Sequence, residues 1–284
     1  MDNQIFAADP RPIGVFDSGV GGLTVLRALQ QAMPGENFIY LGDTARVPYG
    51  TKSGDTVKAY SLGLAAILKQ ADVKMIVIAC NTASVHAAEA VAAFMAPVPV
   101  ISMVGPAAQA AASLTRNKHI LVMGTQATVR AASYEQALKA IDPSVQVTAI
   151  ATQLLVALAE EGWIEGEIPQ KAIARYIGPL FSQDNHPDTI ILGCTHFPLL
   201  RDVIAQVAGP DIRMLDCGAT ASNVILKNYH PRQDGQGSVH FLVTDAVDRF
   251  VPLAGRFLGM ALKEEDVQHI DLTEIMNTDL KKAS

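Results

Sequence analysis

Short apolar runs alternate along this chain with longer stretches in which apolar residues recur every three or four positions. The runs have strand length and consist largely of Val, Ile and Leu, which is typical of strands buried in parallel sheets. Nine are predicted as strands: residues 13–16, 38–41, 73–79, 98–103, 120–123, 145–150, 189–192, 212–215 and 239–243. A short last strand and then a loose polar tail are expected after residue 264.

The stretches between these strands predict amphipathic helices. The clearest helical faces are Leu23, Leu26, Leu29 and Met33; Val57, Tyr60, Leu64, Ile67 and Leu68; Leu154, Leu155 and Leu158; and Leu199, Val203, Ile204 and Val207. Strands and helices that alternate in this way form α/β layers with parallel sheets and right-handed crossovers. The pattern therefore predicts an α/β fold with the faces of its sheets covered by helices.

Two of the predicted strands end alike. The run 73–79 leads into Cys80 and the run 189–192 leads into Cys194, and in both cases small polar residues and a helical stretch follow. Ligands of open α/β sheets bind at the carboxyl ends of the strands. The matching strands indicate two related halves, and we interpret the two thiols as reactive groups that face each other across a cleft.

A competing interpretation treats both thiols as buried small hydrophobic residues, which most free cysteines are. A helix that begins directly after each cysteine argues for reactivity, because its amides and dipole favour a thiolate. No metal site is predicted, since Cys194 and His196 lack a usual zinc spacing and Cys80 has no close second ligand. Cys217 has no matching strand and is interpreted as structural. Three distant cysteines also form no disulfide framework.

Composition narrows the range of partners and locations. The 284 residues are 49% hydrophobic, enough for a large core, and carry a net charge of −6. An acidic chain with few basic clusters is not expected to bind nucleic acid. The uncharged stretch 90–115 is long enough to span a membrane, but three prolines and a glycine interrupt it. Because residues 1–12 are polar and unlike a signal peptide, we expect a cytoplasmic protein with free thiols.

A glycine-rich turn follows the first predicted strand. Asp17 and Ser18 precede Gly19, Gly21 and Gly22, and the spacing matches neither a dinucleotide fingerprint nor a phosphate loop. Asp17 or Ser18 could cap the next helix. Alternatively, the turn exposes backbone amides to a carboxylate, and Asp17 supplies an acid for an ammonium group.

Four further features indicate a functional site less strongly. The segment 43–50 is a turn-rich loop. Thr125 and Thr128 follow a strand and either bind a carboxylate or cap a helix. Glu160 is either functional or part of a solvated helix face. His196 lies two residues beyond Cys194, close enough to tune that thiol or share a proton with it.

Four motifs together resemble the glutamate racemase family, within the aspartate/glutamate racemase superfamily. They are FDSGVGGL at 16–23, DTARVPYG at 43–50, ACNTA at 79–83 and GCTHFPLL at 193–200, and they occur in the family's order. The resemblance extends from about residue 13 to about residue 259. It is weaker along 151–162, where Thr152, Gln153 and Ala157 stand in place of the family's usual Cys, Pro and Pro.

The resemblance implies that an α-proton is removed from one face of glutamate and replaced on the other, without a cofactor. It assigns Cys80 to D-glutamate and Cys194 to L-glutamate. Asp17 would assist Cys80, and His196 with Glu160 would assist Cys194. The remaining substrate-binding residues that we expect are Ser18, Tyr49, Gly50, Asn81, Thr82, Thr125, Thr128 and Thr195. No pyridoxal lysine is suggested, and the product would supply D-glutamate for peptidoglycan.

The resemblance also suggests the domain organisation. We expect two pseudo-symmetric α/β domains, one made of residues 12–97 plus 214–270 and one of residues 98–213, with the active site in the cleft between them. Residues 271–284 would form a C-terminal tail, and the expected assembly is a homodimer. Two alternatives stay open at this point: a related racemase that acts on aspartate, and a non-catalytic binding protein with inert thiols.

Overall fold

Two parallel β-sheets, each flanked by helices, make up the part of the chain that the structure describes, residues 9–232 and 235–272 of a computed structural model. The strands are β1 (Ile13–Asp17), β2 (Phe38–Gly42), β3 (Met75–Ile78), β4 (Val100–Ile101), β5 (His119–Gly124), β6 (Gln146–Ala151), β7 (Thr189–Gly193), β8 (Arg213–Asp216), β9 (Val239–Val243) and β10 (Val267–His269). The first sheet has the order β10-β9-β2-β1-β3-β4 and the second β6-β5-β7-β8, and all neighbouring strands are parallel.

Helices connect the strands as the apolar pattern predicts. They are α1 (Leu23–Ala32), α2 (Gly54–Gln70), α3 (Asn81–Met95), α4 (Val104–Leu114), α5 (Gln126–Arg130), α6 (Ser133–Ile141), α7 (Leu154–Glu161), α8 (Glu167–Phe181), α9 (Arg201–Ala208), α10 (Cys217–Asn228) and α11 (Val247–Leu258). The predicted α/β class is confirmed. Within the described ranges, no helix combines the length and apolar character that crossing a membrane requires.

The burial of the central strands of both sheets explains why polar side chains gather at the strand ends. Strands β1 and β3 are buried along their whole length, as are β5 and β7, which is why their sequences are largely apolar and carry polar residues only at their ends. Parallel strands present their carboxyl ends at one edge of a sheet. The first polar side chains at those ends therefore lie together, and this edge of each sheet faces the other half of the molecule.

The chain crosses from one sheet to the other a few residues later than the predicted domain boundaries. Strand β4 pairs with β3 in the first sheet, although residues 98–213 were assigned to the second half. Strand β8 pairs with β7 in the second sheet, so the return to the first sheet comes after Asp216. Strand pairing depends on distant partners and leaves no local mark in the sequence. We propose two domains, with the chain crossing between them after β4 and again after β8. Most of the predicted tail, residues 273–284, lies outside the described residues.

A buried ion pair fastens the returning chain to the first sheet. Lys74 Nζ lies 2.5 Å from Glu36 Oε2, and both side chains are almost fully buried. The other carboxylate oxygen, Oε1, accepts hydrogen bonds from the Tyr229 hydroxyl and the Arg232 amide, each at 2.8 Å. Lys74 Nζ also donates to the carbonyl oxygen of Asp9 at 2.8 Å. The pair thus connects the starts of β2 and β3 to the segment that follows α10.

Replacement of Lys74 by Met is expected to lower the free energy of unfolding by about 3 kcal/mol, because it leaves the Glu36 carboxylate buried without its cation. Urea denaturation of the purified protein measures this loss. The double variant Lys74→Met/Glu36→Leu is the control, and it should recover much of the stability because both charges are gone. A loss below about 1 kcal/mol in the single variant would contradict this account of the pair.

Candidate active site

One cavity lies where the carboxyl edges of the two sheets meet. The predicted site residues that line it are Ser18, Tyr49, Gly50, Cys80, Asn81, Thr82, Thr125, Glu160, Cys194, Thr195 and His196. Asp17 and Thr128 do not line the cavity themselves. Asp17 directly precedes Ser18, and Thr128 contacts Thr82 and Thr125. The two cysteines enter from equivalent positions: Cys80 caps α3 after β3, and Cys194 directly follows β7.

Cys80 is a buried thiol at the start of a helix. Its Sγ accepts a hydrogen bond from the Ala83 amide at 3.4 Å and lies 3.6 Å from Ser18 Oγ. Burial, with a further contribution from the charge of Asp17, raises the pKa of Cys80 to about 12, and the Ala83 amide offsets only part of this. The helix start alone predicts a thiolate, but burial outweighs it. The Cys80 thiol therefore favours its protonated form at neutral pH.

Asp17 lies beside Cys80 at the end of β1 and is fully buried. Its Oδ2 accepts from the Gly19 amide at 3.0 Å, and Oδ1 has no partner among the described residues. Burial raises the pKa of Asp17, while the charge of His196 and the amides of the glycine turn act in the opposite direction. The helix α1 receives no side-chain cap, so the interpretation of Asp17 as a helix cap is wrong.

Cys194 is accompanied by a histidine and a glutamate. The Sγ atom lies 3.7 Å from His196 Nδ1, and His196 Nε2 lies 3.0 Å from Glu160 Oε1. Burial by itself lowers the pKa of His196, but the hydrogen bonds to Cys194 and Glu160 outweigh it and raise the pKa to about 10. The hydrogen bond from His196 in turn holds the pKa of Glu160 below its ordinary value. Glu160 therefore lines the cavity beside His196 despite the altered motif around it, with 30% of its side chain exposed.

Three threonines form a hydroxyl cluster on the far wall of the cavity. Thr82 Oγ1 lies 2.9 Å from Thr125 Oγ1 and 3.2 Å from Thr128 Oγ1, and the last two are 3.0 Å apart. Thr125 also caps α5, because its Oγ1 accepts from the Thr128 amide at 3.3 Å. The capping and the binding interpretations of this pair are therefore compatible. Thr82 and Thr125 present the cluster to the cavity, and Thr128 supports them from behind.

The loop 43–50 is held in place by its own buried acid. Asp43 accepts hydrogen bonds from the Tyr49 hydroxyl, from Arg46 Nε at 2.7 Å and from Thr244 Oγ1 at 3.0 Å. Gly50, which follows Tyr49, packs so closely against Thr125 that an added Cβ would lie 2.7 Å from the Thr125 Cβ. Glycine is required there, and the loop delivers Tyr49 and the Gly50 backbone to the cavity.

The structure adds residues that sequence reasoning missed. The cavity is also lined by Gly19, Val20, Val47, Pro48, Gln153 and Val156. Gln153 Oε1 is buried without a partner in the described part of the chain. The glycine turn touches the other half directly, because a Cβ at Gly21 would lie 2.5 Å from the ring of His196. Gln153 could have been suspected from the sequence, because it is a polar residue within the altered motif at 151–162.

Comparison with known proteins identifies the family of the chain. A family profile described as Asp/Glu/Hydantoin racemase matches residues 13–224. The chain belongs to the Asp/Glu/hydantoin racemase family. Membership makes it a racemase, a class of isomerase. No group of three or more His, Cys, Asp or Glu side chains within residues 9–232 and 235–272 could hold a metal ion.

Relatives within this family include named glutamate racemases. The chain is 41% identical to glutamate racemase from Geobacter metallireducens over 267 residues, which are 92% of this chain and 97% of the relative. The crystal structure of Francisella tularensis glutamate racemase in complex with D-glutamate matches with a TM-score of 0.85 and 31% identity, covering 94% of this chain and 100% of that one. Picrophilus torridus aspartate racemase, at 17% identity and a TM-score of 0.54 over 77% of this chain and 94% of that one, shares the fold alone.

Replacement of Glu160 by Gln is expected to shift the pH dependence of this racemase. The pKa of His196 should fall from about 10 towards its ordinary value of 6.5, because one of the two groups that raise it loses its charge. A protonated imidazole is present below its pKa and is lost as pH rises through it. The alkaline limb of the kcat/KM profile should therefore move to lower pH, with about a 10- to 30-fold loss in mildly alkaline buffer.

The matched control for this experiment is Glu161→Gln on the same helix, because Glu161 is exposed and does not line the cavity. Its profile should coincide with that of the unmodified protein. An alkaline limb that stays in place in Glu160→Gln would show that Glu160 does not set the protonation of His196.

Proposed function

We propose that this member of the family interconverts L- and D-glutamate without a cofactor, by proton transfer between the substrate and the thiols of Cys80 and Cys194. The observation that carries the proposal is the pair of thiols, each presented by the end of an equivalent strand to one shared cavity. The curated glutamate racemases that match most of the chain support glutamate as the substrate.

The walls of the cavity suggest how the substrate is held. Asn81, Thr82, Thr125 and Thr195 offer amide and hydroxyl donors to the α-carboxylate, where negative charge grows as the α-proton leaves. Thr128 supports this cluster from behind. Tyr49, the Gly50 backbone and Ser18 line the remaining surface and fix the rest of the molecule, and Asp17 lies on the side where an ammonium group is favoured.

Conversion of L-glutamate begins at Cys194 in this proposal. The Cys194 thiolate, next to the protonated His196, takes the α-proton and becomes a thiol. The Cys80 thiol, whose pKa is raised to about 12 by burial and the nearby Asp17, delivers its proton to the opposite face of the carbanion and becomes a thiolate. In this proposal one thiol acts as the base and the other as the acid on opposite faces of a single carbon, as a two-base reaction requires.

Conversion of D-glutamate uses the same groups in reverse. Cys80 must first lose its proton, and the adjacent carboxylate of Asp17, whose pKa is raised by burial, is the group placed to accept it. Cys194 then delivers a proton supplied by His196, whose protonated form is stabilised by the Glu160 carboxylate. Each direction ends with the thiols in exchanged protonation states, and proton exchange with solvent resets them. No electron transfer or external reactant is needed.

Wider roles follow from this reaction as further parts of the proposal. D-glutamate made in the cytoplasm would supply peptidoglycan synthesis, and a homodimer stays the expected assembly. No observation in this chain favours aspartate over glutamate.

The proposal is tested by following the circular dichroism of glutamate and aspartate solutions after addition of the purified protein, with a chelator present and no cofactor added. Either enantiomer of glutamate is expected to reach an equal mixture, and aspartate to react far more slowly. Faster conversion of aspartate would favour the aspartate racemase alternative. A protein that binds glutamate but converts neither amino acid would be the non-catalytic alternative.

A further inference from the structure

A buried tyrosine from the second half of the molecule contacts a cavity residue of the first half. Tyr134 lies in α6 with only 3% of its surface exposed. Its hydroxyl donates a hydrogen bond of 2.5 Å to Asn81 Oδ1, at the first position of α3 next to Cys80. Burial raises the pKa of Tyr134 well above its ordinary value, so the hydroxyl keeps its proton.

The side-chain nitrogen of Asn81, Nδ2, is available to bind a ligand. Asn81 lines the cavity, and its Nδ2 is buried with no hydrogen-bond partner in the described residues. A buried donor without a partner is costly, and an acceptor oxygen of a bound molecule would remove that cost. Because Tyr134 occupies Oδ1, the amide is held in the orientation that keeps Nδ2 available.

The same hydroxyl also contacts Cys217 of α10, and Cys217 in turn contacts β7, the strand that precedes Cys194. Tyr134 Oη lies 3.5 Å from Cys217 Sγ, and the Cys217 thiol lies 3.3 Å from the carbonyl oxygen of Leu192 in β7. Tyr134 has one hydroxyl hydrogen, which Asn81 Oδ1 receives, and Cys217 donates its thiol hydrogen to the Leu192 carbonyl oxygen, so neither has a hydrogen left for the other. The contact with Asn81 is therefore the one in which Tyr134 acts as a donor.

We propose that Tyr134 is a positioning residue that fixes the Asn81 amide, so that Nδ2 donates to the α-carboxylate of the substrate. This inference rests on the proposed function and adds a residue to it. Charge on the α-carboxylate grows in the transition state, so a correctly aimed donor contributes more to turnover than to binding. Loss of the hydroxyl should consequently lower kcat while leaving KM nearly unchanged.

Steady-state glutamate racemisation by Tyr134→Phe tests the inference. The variant keeps the buried ring and removes only the hydroxyl. The expected result is about a 10- to 30-fold fall in kcat with less than about a threefold change in KM. Tyr176→Phe, the same change in α8 away from the cavity, should leave both constants unaltered.

Two further variants separate this role from packing and from the contact with Cys217. Cys217→Ala removes the other neighbour of the hydroxyl and should retain activity within about threefold. In the background of Asn81→Ala, Tyr134→Phe should cause no additional loss, because the amide that it positions is absent. Thermal melting of each variant reports its folding separately.

The outcomes distinguish the inference from the proposed function. An unmodified protein that does not racemise glutamate contradicts both. If the unmodified protein is active, three results contradict the inference alone: full activity in Tyr134→Phe, an equal loss in Cys217→Ala, or losses from Asn81→Ala and Tyr134→Phe that multiply in the double variant.

Discussion

Alanine in place of either Cys80 or Cys194 is expected to reduce racemisation of glutamate at least about ten-thousandfold in both directions, because each loses a base in one direction and an acid in the other. Both thiols line the same cavity, and no other cysteine does. Asp17 does not line the cavity, and His196 lines it beside Cys194, so neither occupies the position of a missing thiol. Conversion of each enantiomer, followed by circular dichroism, measures the loss.

Cys217→Ala is the matched control for this prediction. Cys217 is also a buried free cysteine, but it does not line the cavity, and its thiol lies against the Leu192 carbonyl oxygen. The protein with this change should stay active and fold normally. Retention of substantial activity by Cys80→Ala or Cys194→Ala would show that one of the two thiols is not needed, and the proposed mechanism would then be wrong.

Asparagine in place of Asp17 is expected to lower turnover about a thousandfold while the melting temperature at neutral pH does not fall. Asparagine has the same shape and can still accept from the Gly19 amide through its side-chain oxygen. It cannot take a proton from the Cys80 thiol. The loss should be larger from D-glutamate, because Cys80 must be deprotonated in that direction.

The expected stability of this variant follows from the direction of the pKa shift. The folded protein holds the pKa of Asp17 above its unfolded value, chiefly through burial. Such a group contributes stability below its unfolded pKa and loses that contribution as pH rises through the folded pKa. At neutral pH, asparagine therefore removes the cost of a buried carboxylate. Near-normal turnover, or a large fall in melting temperature, would reduce Asp17 to a structural residue.

Much of the fold is readable from local sequence because the central strands are buried on both faces. Apolar runs such as those at β3 and β7 leave little freedom of interpretation, and all nine predicted strands have counterparts in the structure. The partner of an edge strand depends on distant segments instead. This is why the short β4 falls in the first sheet and β8 in the second, in contrast to the predicted boundaries.

The site shows the same division between local and distant information. Motifs identify Cys80 and Cys194, because each thiol follows a strand and the neighbouring residues are polar. The hydrogen bond between Glu160 and His196 joins two segments far apart in sequence, and only the folded chain reveals it. The raised pKa of Cys80 is likewise a consequence of burial, which the helix start after this residue does not predict. Tyr134 carries no signal of its own until it is seen beside Asn81.

The most direct test of the two-thiol account is racemisation in deuterated water, with Cα labelling of both enantiomers followed early in the reaction by proton NMR and chiral separation. Thiols exchange rapidly with solvent, so the delivering thiol carries deuterium while the substrate keeps its own proton until it reacts. The account predicts that product formed from either enantiomer is deuterated at Cα, while the remaining substrate still carries protium. Substantial protium in the early product would mean that one base returns the same proton to the opposite face, and would contradict the account.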